Sequence, residues 1–170
     1  MVDPRLILDV LPALSITIGV IYYIMVLRNQ EKARQIQLFQ QLVQRNSKDQ
    51  QIEGMKLMQL KWNDYDDFEI KYGSDNNPEI FALRYEWWTR FNQTGLLVRD
   101  GLIDIDRLMK LHGGTTAPYW HWNKFSEVIK KQRELYNLPE LFSEFEYLAL
   151  EYANYMEKKG YPMEIPELVT

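Results

Sequence analysis

Three stretches carry residue types that could do chemistry. The first is residues 99–114, RDGLIDIDRLMKLHGG, where Asp100-Gly101 and Asp104 have the acidic, glycine-bearing look of a calcium loop. With Gly101 at loop position 6, positions 1, 3 and 12 fall on Leu96, Val98 and Arg107, none of which offers the carboxylate or amide oxygen such a loop needs. The second is WNDYDDFE, with Asp64, Asp66, Asp67 and Glu69. Carboxylates this dense can hold a divalent ion or share a proton. Asp66 and Glu69 would share a helix face, yet no second carboxylate pair with Glu-x-x-His spacing completes a di-metal bundle site. The plainer reading is a solvated first helical turn. The third is APYWHWNKF, which sets Tyr119, Trp120, Trp122 and Phe125 around His121. That composition suits either a cation cage or an aromatic corner of a helical core, and the core reading is preferred.

Arg107 and His112 pair a fixed cation with a group that titrates near neutrality. Their spacing resembles the R-x4-6-H motif of the HEPN group, a helical ribonuclease family that works as a dimer. The resemblance implies RNA cleavage by Arg107 and His112. The residue after the arginine, usually polar in that family, is Leu108 here. Five residues along a helix also set the two side chains about 140° apart. A shared cleft would then need a second copy or a helix end. The plain reading absorbs more of the stretch. Asp100-Gly101 turns the chain, Asp104 caps a helix, Ile105, Leu108 and Met109 dock it, and Gly113 ends it.

Composition narrows the classes further. The chain has 170 residues, no Cys and two His, so disulfides, thiolate sites, a Cys nucleophile and a His-rich zinc site are excluded. Aromatic residues make up 14% of the chain, enough for a real core in a small domain. Charge is uneven: residues 28–61 hold seven Lys/Arg against three acids, and residues 62–170 hold twelve against nineteen. An acidic distal domain is the wrong sign for binding nucleic acid, and none is expected. No Gly-rich phosphate loop is present and no cofactor is implied.

The elements that must position these residues begin with an apolar run. Residues 6–27, LILDVLPALSITIGVIYYIMVL, are interrupted by Asp9, Ser15 and Thr17. Twenty-two helical residues rise about 33 Å, enough for a bilayer core of about 30 Å. Leu6, Leu11, Ile16, Ile18, Val20, Ile24 and Leu27 would face lipid. No small-x-small site follows, which favours a retained anchor over a cleaved leader. Arg28, Lys32 and Arg34 after the run outweigh Arg5 and the amine before it, which predicts an outside N-terminus and a cytoplasmic distal domain. Asp9 reads as a hydrated residue near the outer headgroups. Asn92-Gln93-Thr94 matches a glycosylation acceptor, meaningless in a cytoplasmic domain and available outside.

The organisation expected is an anchor at 1–27, a helical stalk at 28–61, a bundle of four or five helices at 62–160 and a tail at 161–170. The stalk lacks Pro and Gly from Arg28 to Glu53. Ile36, Phe39 and Val43 fit a coiled-coil seam that dies at Asn46, Gln50 and Glu53. Ser15 and Gly19 fit the small-xxx-small pattern of close membrane-helix packing, so these five residues are the candidates for self-association. Asn46-Ser47 suggests a helix break, and Ile52, Met55 and Trp62 are expected to pack on the distal domain. There, Asn63 and Asn77 read as helix caps, Pro118 and Pro139-Glu140 as helix openings, and Gly73 and Gly160 as stops. Gly95 either ends its helix or is carried inside it. No five-residue alternation marks a strand, so the fold is all-α.

W62-N-D-Y65-D-D-F68, K71-Y-G73, N77-P-E79, W87-W88, G95-L-L and D100-G-L-I-D104 with the Trp120/Trp122 pair resemble a family of small prokaryotic, especially archaeal, membrane-anchored helical proteins defined as a domain of unknown function. The resemblance covers about residues 55–160 and carries no catalytic residue. The function expected is a single-pass, membrane-tethered interaction or scaffold module whose partners are the bilayer and another protein or itself. The alternatives are a membrane-held ribonuclease using Arg107 and His112, and a small homo-oligomeric membrane assembly.

Overall fold

The structure, a computed structural model, describes residues 4–44, 48–111 and 117–163; of these, the side chains of 4–14, 39 and 41–44 are outside the description. Every regular element among the described residues is helical. The helices are α1 (Pro4–Gln44), α2 (Lys48–Gln59), α3 (Tyr65–Tyr72), α4 (Pro78–Arg99), α5 (Ile105–Leu111), α6 (Ala117–Tyr136) and α7 (Ser143–Lys159). The chain divides into two compact units, residues 1–44 and 45–170.

The first unit is α1, 41 residues without a break. At 1.5 Å per residue it is about 62 Å long. Ile16, Ile18, Tyr22, Tyr23 and Met25 are each more than half exposed, and so is Ile36. Arg28, Lys32 and Arg34 are also exposed. Nothing stands within 4 Å of where a Cβ on Gly19 would be. Among the described residues no helix is long and apolar enough to cross a membrane. The anchor expected over residues 6–27 is therefore not supplied by the described part, and Leu6, Asp9 and Leu11 have side chains outside it. The side chains of Phe39 and Val43, and residues 45–47 with the expected break, are outside it too.

The second unit has six described helices, α2–α7; five of them, α3–α7, lie within residues 62–160, where four or five were expected, and α2 lies in the range expected as stalk. Its core is aromatic. Phe68, Trp88, Phe125, Phe145, Leu148 and Tyr152 are fully buried, and rings from α3, α4, α6 and α7 meet edge to face or offset. Such pairs add to what burial alone supplies. Trp62 joins this core, stacked on Phe125 at 5.3 Å. Ile52 and Met55 do not. They are exposed, and Gly54 and Leu57 form the buried face of α2 instead. The reason is bulk: a Cβ on Gly54 would come within 2.9 Å of the Trp87 indole.

Local capping follows the sequence at most helix ends. Asn77 Oδ1 accepts the Ile80 N–H ahead of Pro78, and Asp104 Oδ1 accepts from Asp106 and Arg107. Gly101 and Gly160 adopt left-handed φ of 68°. Two expectations shift. The α3 cap is Asp64, not Asn63: its Oδ1 accepts from Asp67 N–H, and the Asn63 N–H donates back to Asp67 Oδ2. Helix α7 opens at Ser143 rather than at Pro139-Glu140, because Phe142 is left-handed and breaks the run.

The α7 start has no cap of its own. Asn92 on α4 supplies it, its Oδ1 accepting from the N–H groups of Glu144 and Phe145 at 3.0 and 3.1 Å. Thr94 is buried and its hydroxyl donates to the Arg90 carbonyl. The acceptor triplet of the sequence is thus committed to packing and is not a free site. One turn on, Gly95 is carried inside α4, and a Cβ there would lie 1.9 Å from the Glu144 carbonyl oxygen. Only glycine lets the two backbones approach so closely. Replacing Gly95 with Ala must push α7 away and should lower unfolding stability by about 3 kcal/mol. Asn92→Ala should cost about 1–2 kcal/mol through the lost cap. Urea unfolding of both variants, read by tryptophan fluorescence, checks the two values and their order.

Candidate functional site

Helix α4 runs Phe81, Arg84, Trp88 and Phe91 along one stripe, spaced 3, 4, 3. That spacing points a charged residue into the core, and the Arg84 side chain has no solvent exposure at all. Its guanidinium carbon lies 4.7 Å from the Phe68 ring centre, 4.8 Å from Phe81 and 5.1 Å from Trp88. Three ring faces attract a cation, but they accept no conventional hydrogen bond. Nε, Nη1 and Nη2 all lack a hydrogen-bond partner. Burial pulls the guanidinium pKa down, opposed by the negative charge of Glu69 and by the nearby Tyr65 and Tyr136.

Glu69, on α3, is the counter-charge. Its Oε1 stands 3.8 Å from Arg84 Nη2 and takes a long hydrogen bond from Gln132 Nε2 on α6 at 3.4 Å. Gly73 leaves room for the other oxygen, because a Cβ there would lie 2.7 Å from Glu69 Oε2. Tyr65 also lies against Glu69. Its pKa is pushed up to about 12, by burial first and then by the Glu69 charge. The result is a polar cluster of Tyr65, Glu69, Arg84, Gln132 and Tyr136 joining α3, α4 and α6. Its inner end is dry, and its outer end opens to solvent at Glu69 and the half-exposed Tyr136.

The residues singled out in the sequence fall elsewhere. Arg107 is exposed on α5, and His112 lies outside the described residues, so the described structure does not assemble the ribonuclease pair. Asp67 bonds Lys71 at 2.8 Å, and this hydrogen bond above all holds its carboxyl below the usual range. Glu69 turns inward instead, and no metal-binding group of three or more His, Asp or Glu exists among the described residues. Asp106 is likewise engaged, accepting from the Tyr155 hydroxyl at 2.9 Å and thereby tying α5 to α7.

His121 is a core residue, and the rings around it differ from the expected set. Trp87 stacks on it at 5.2 Å with planes 1° apart, and Phe91 and Phe125 flank it. Of the expected corner only Phe125 remains; Trp87 and Phe91, from α4, stand where Tyr119, Trp120 and Trp122 were expected. Burial, with a lesser push from Lys124, lowers the His121 pKa to about 3, so the imidazole is neutral. The unfolded chain takes up this proton near pH 6.5 and the folded chain does not. His121 therefore supports the fold fully above pH 6.5, and that support is lost as pH falls toward 3. The loss is on the order of 4 kcal/mol at its acid limit. His121→Phe should flatten the stability profile between pH 6.5 and 5.5, above most of the range where carboxylates titrate, as measured by urea midpoints across that window.

Comparison with known proteins adds one identification. No curated protein and no solved structure matches the chain. A family described as a domain of unknown function, DUF4760, matches residues 13–152. That span runs from within α1 to Tyr152 on α7 and takes in every residue of the Arg84 cluster. The chain belongs to the DUF4760 family.

Proposed function

We propose that the chain is a membrane-anchored interaction module, with its distal helical unit held in the cytoplasm by a single span. The span proposed is residues 6–27, a twenty-two-residue run of the sequence interrupted by Asp9, Ser15 and Thr17, and the reading rests on that sequence pattern. The exposure of Ile16, Ile18, Tyr22, Tyr23 and Met25 around α1 supports it, since a helix apolar on every side needs lipid or protein against it. Arg28, Lys32 and Arg34 set the orientation, being exposed and adjacent to the run.

The observation that carries the interaction reading is the Arg84 cluster. The described helices hold no group of three or more His, Asp or Glu that could hold a metal, and they keep a costly buried cation beside an aromatic, solvent-reached surface. At the solvent-reached end stand the part-exposed Glu69 and the half-exposed Tyr136, and tyrosine is enriched in binding hot spots. Protease protection on sealed right-side-out vesicles tests the anchor and its direction. The distal unit should survive until the membrane is permeabilised, and the mature chain should retain residues 6–27. Digestion without permeabilisation overturns the orientation, and a chain beginning beyond Leu27 overturns the anchor. Recovery of a stable partner from solubilised membranes is the result expected of the module itself.

A further inference from the structure

We propose that Arg84 is the receptor for a carboxylate presented by a partner protein, and that Glu69 holds the place of that carboxylate in the free chain. The proposal rests on the reading of the distal unit as an interaction module and names the chemistry of its partner. A guanidinium offers five N–H donors in a fixed fork. Here all three nitrogens are buried without a hydrogen bond, and the rings of Phe68, Phe81 and Trp88 hold the group in place without accepting from it. Glu69 comes close enough to neutralise the charge, at 3.8 Å, and not close enough to bond it. Its carboxylate is divided among Arg84, Gln132 and Tyr65, and its side chain is one-third exposed. Solvent therefore reaches the counter-ion while the cation behind it keeps its fork open. A carboxylate entering where Glu69 now lies would gain the paired, charge-assisted bonds that Glu69 does not make.

The surroundings select the ligand. Tyr85 and Tyr136, each about half exposed, supply apolar rim beside the cluster, and Tyr85 packs on Phe142 at 5.2 Å. Residues 62–170 carry nineteen acids against twelve bases, so a strongly acidic segment or a dianion is repelled from this unit. A single acidic side chain flanked by apolar ones fits both the fork and the rim.

The test uses the full chain in detergent micelles, with the peptide acetyl-Leu-Glu-Leu-amide as probe and acetyl-Leu-Gln-Leu-amide as its control. Sodium acetate and sodium phosphate are compared at matched ionic strength. Binding is read as a saturable rise in thermal midpoint together with a change in the near-ultraviolet signal of the tryptophans, one of which lies against Arg84. The glutamate peptide should bind, the glutamine peptide should not, and acetate should bind at least about tenfold more weakly than the glutamate peptide. Glu69→Gln should tighten the peptide by about tenfold by removing the competitor. Arg84→Lys should weaken it by a similar factor, because lysine lacks the fork. Arg84→Met should abolish it, and if that variant fails to fold, the Glu69→Gln and Arg84→Lys arms still decide. Equal binding of the two peptides, a response to phosphate alone, acetate as tight as the peptide, or no gain in Glu69→Gln overturns the proposal. Failure of the peptide with a partner still recovered from membranes removes the Arg84 site and leaves the module reading. Peptide binding with no partner recovered removes the module reading instead.

Discussion

The distal unit depends on how closely α4 and α7 approach. Gly95 has no side chain, so the Glu144 carbonyl can stand where a Cβ would be, and Asn92 one turn earlier caps the incoming helix. These two residues fix both the separation and the axial register of α7. Once they do, Phe145 stacks on Phe91 at 4.9 Å and Arg99 reaches Glu144 at 2.8 Å. Arg133 on α6 then meets Glu146 at 2.6 Å and the Leu141 carbonyl at 2.8 Å, closing the α6–α7 turn. The aromatic core fills a space whose dimensions the backbone contact has already set. Pairs as tight as this tolerate little change in volume.

Against that frame Arg84 is an anomaly of a specific kind. A hydrophobic residue of similar size would fill the same space without desolvating a charge, and such replacements of buried ions are often neutral or stabilising. The fold instead surrounds the cation with three ring faces and leaves its counter-ion at the boundary with solvent. His121 shows the contrasting solution within the same core. It is held between rings and kept neutral, so burial leaves no charge to compensate.

What the sequence made legible was mostly local. Asn77-Pro78, Asp104 and Gly160 were readable because a cap or a left-handed stop is set by a few neighbouring residues. Asp64 displaced Asn63 because both side chains can cap and only the backbone turn decides between them. The start of α7 was not readable: its cap sits 52 residues away on α4, while Pro139-Glu140 imitates a local opening. The inner face of α2 was misread for a similar reason. A buried glycine under Trp87 carries no apolar signal, and Ile52 and Met55 carry a strong one while facing out. His121 was placed in the core by its aromatic neighbours in sequence, but the rings that hold it are largely from another helix. Arg84 sat in plain view at core spacing on α4. It was missed because an arginine inside an apolar stripe is usually discounted.

Asn92 gives the route of synthesis a consequence. In a compartment that transfers oligosaccharide, the Asn92-Gln93-Thr94 triplet would emerge well before α7, the helix that later claims the same amide. The cap occupies Oδ1 and sugar would attach at the nitrogen of the same amide, so docking of α7 over Asn92 would hinder a transferase that arrived later. A glycan-free chain exported to such a compartment would report that folding won the race. Sugar at Asn92 would mark exposure to that compartment, and its absence there would be a clock on α4–α7 assembly.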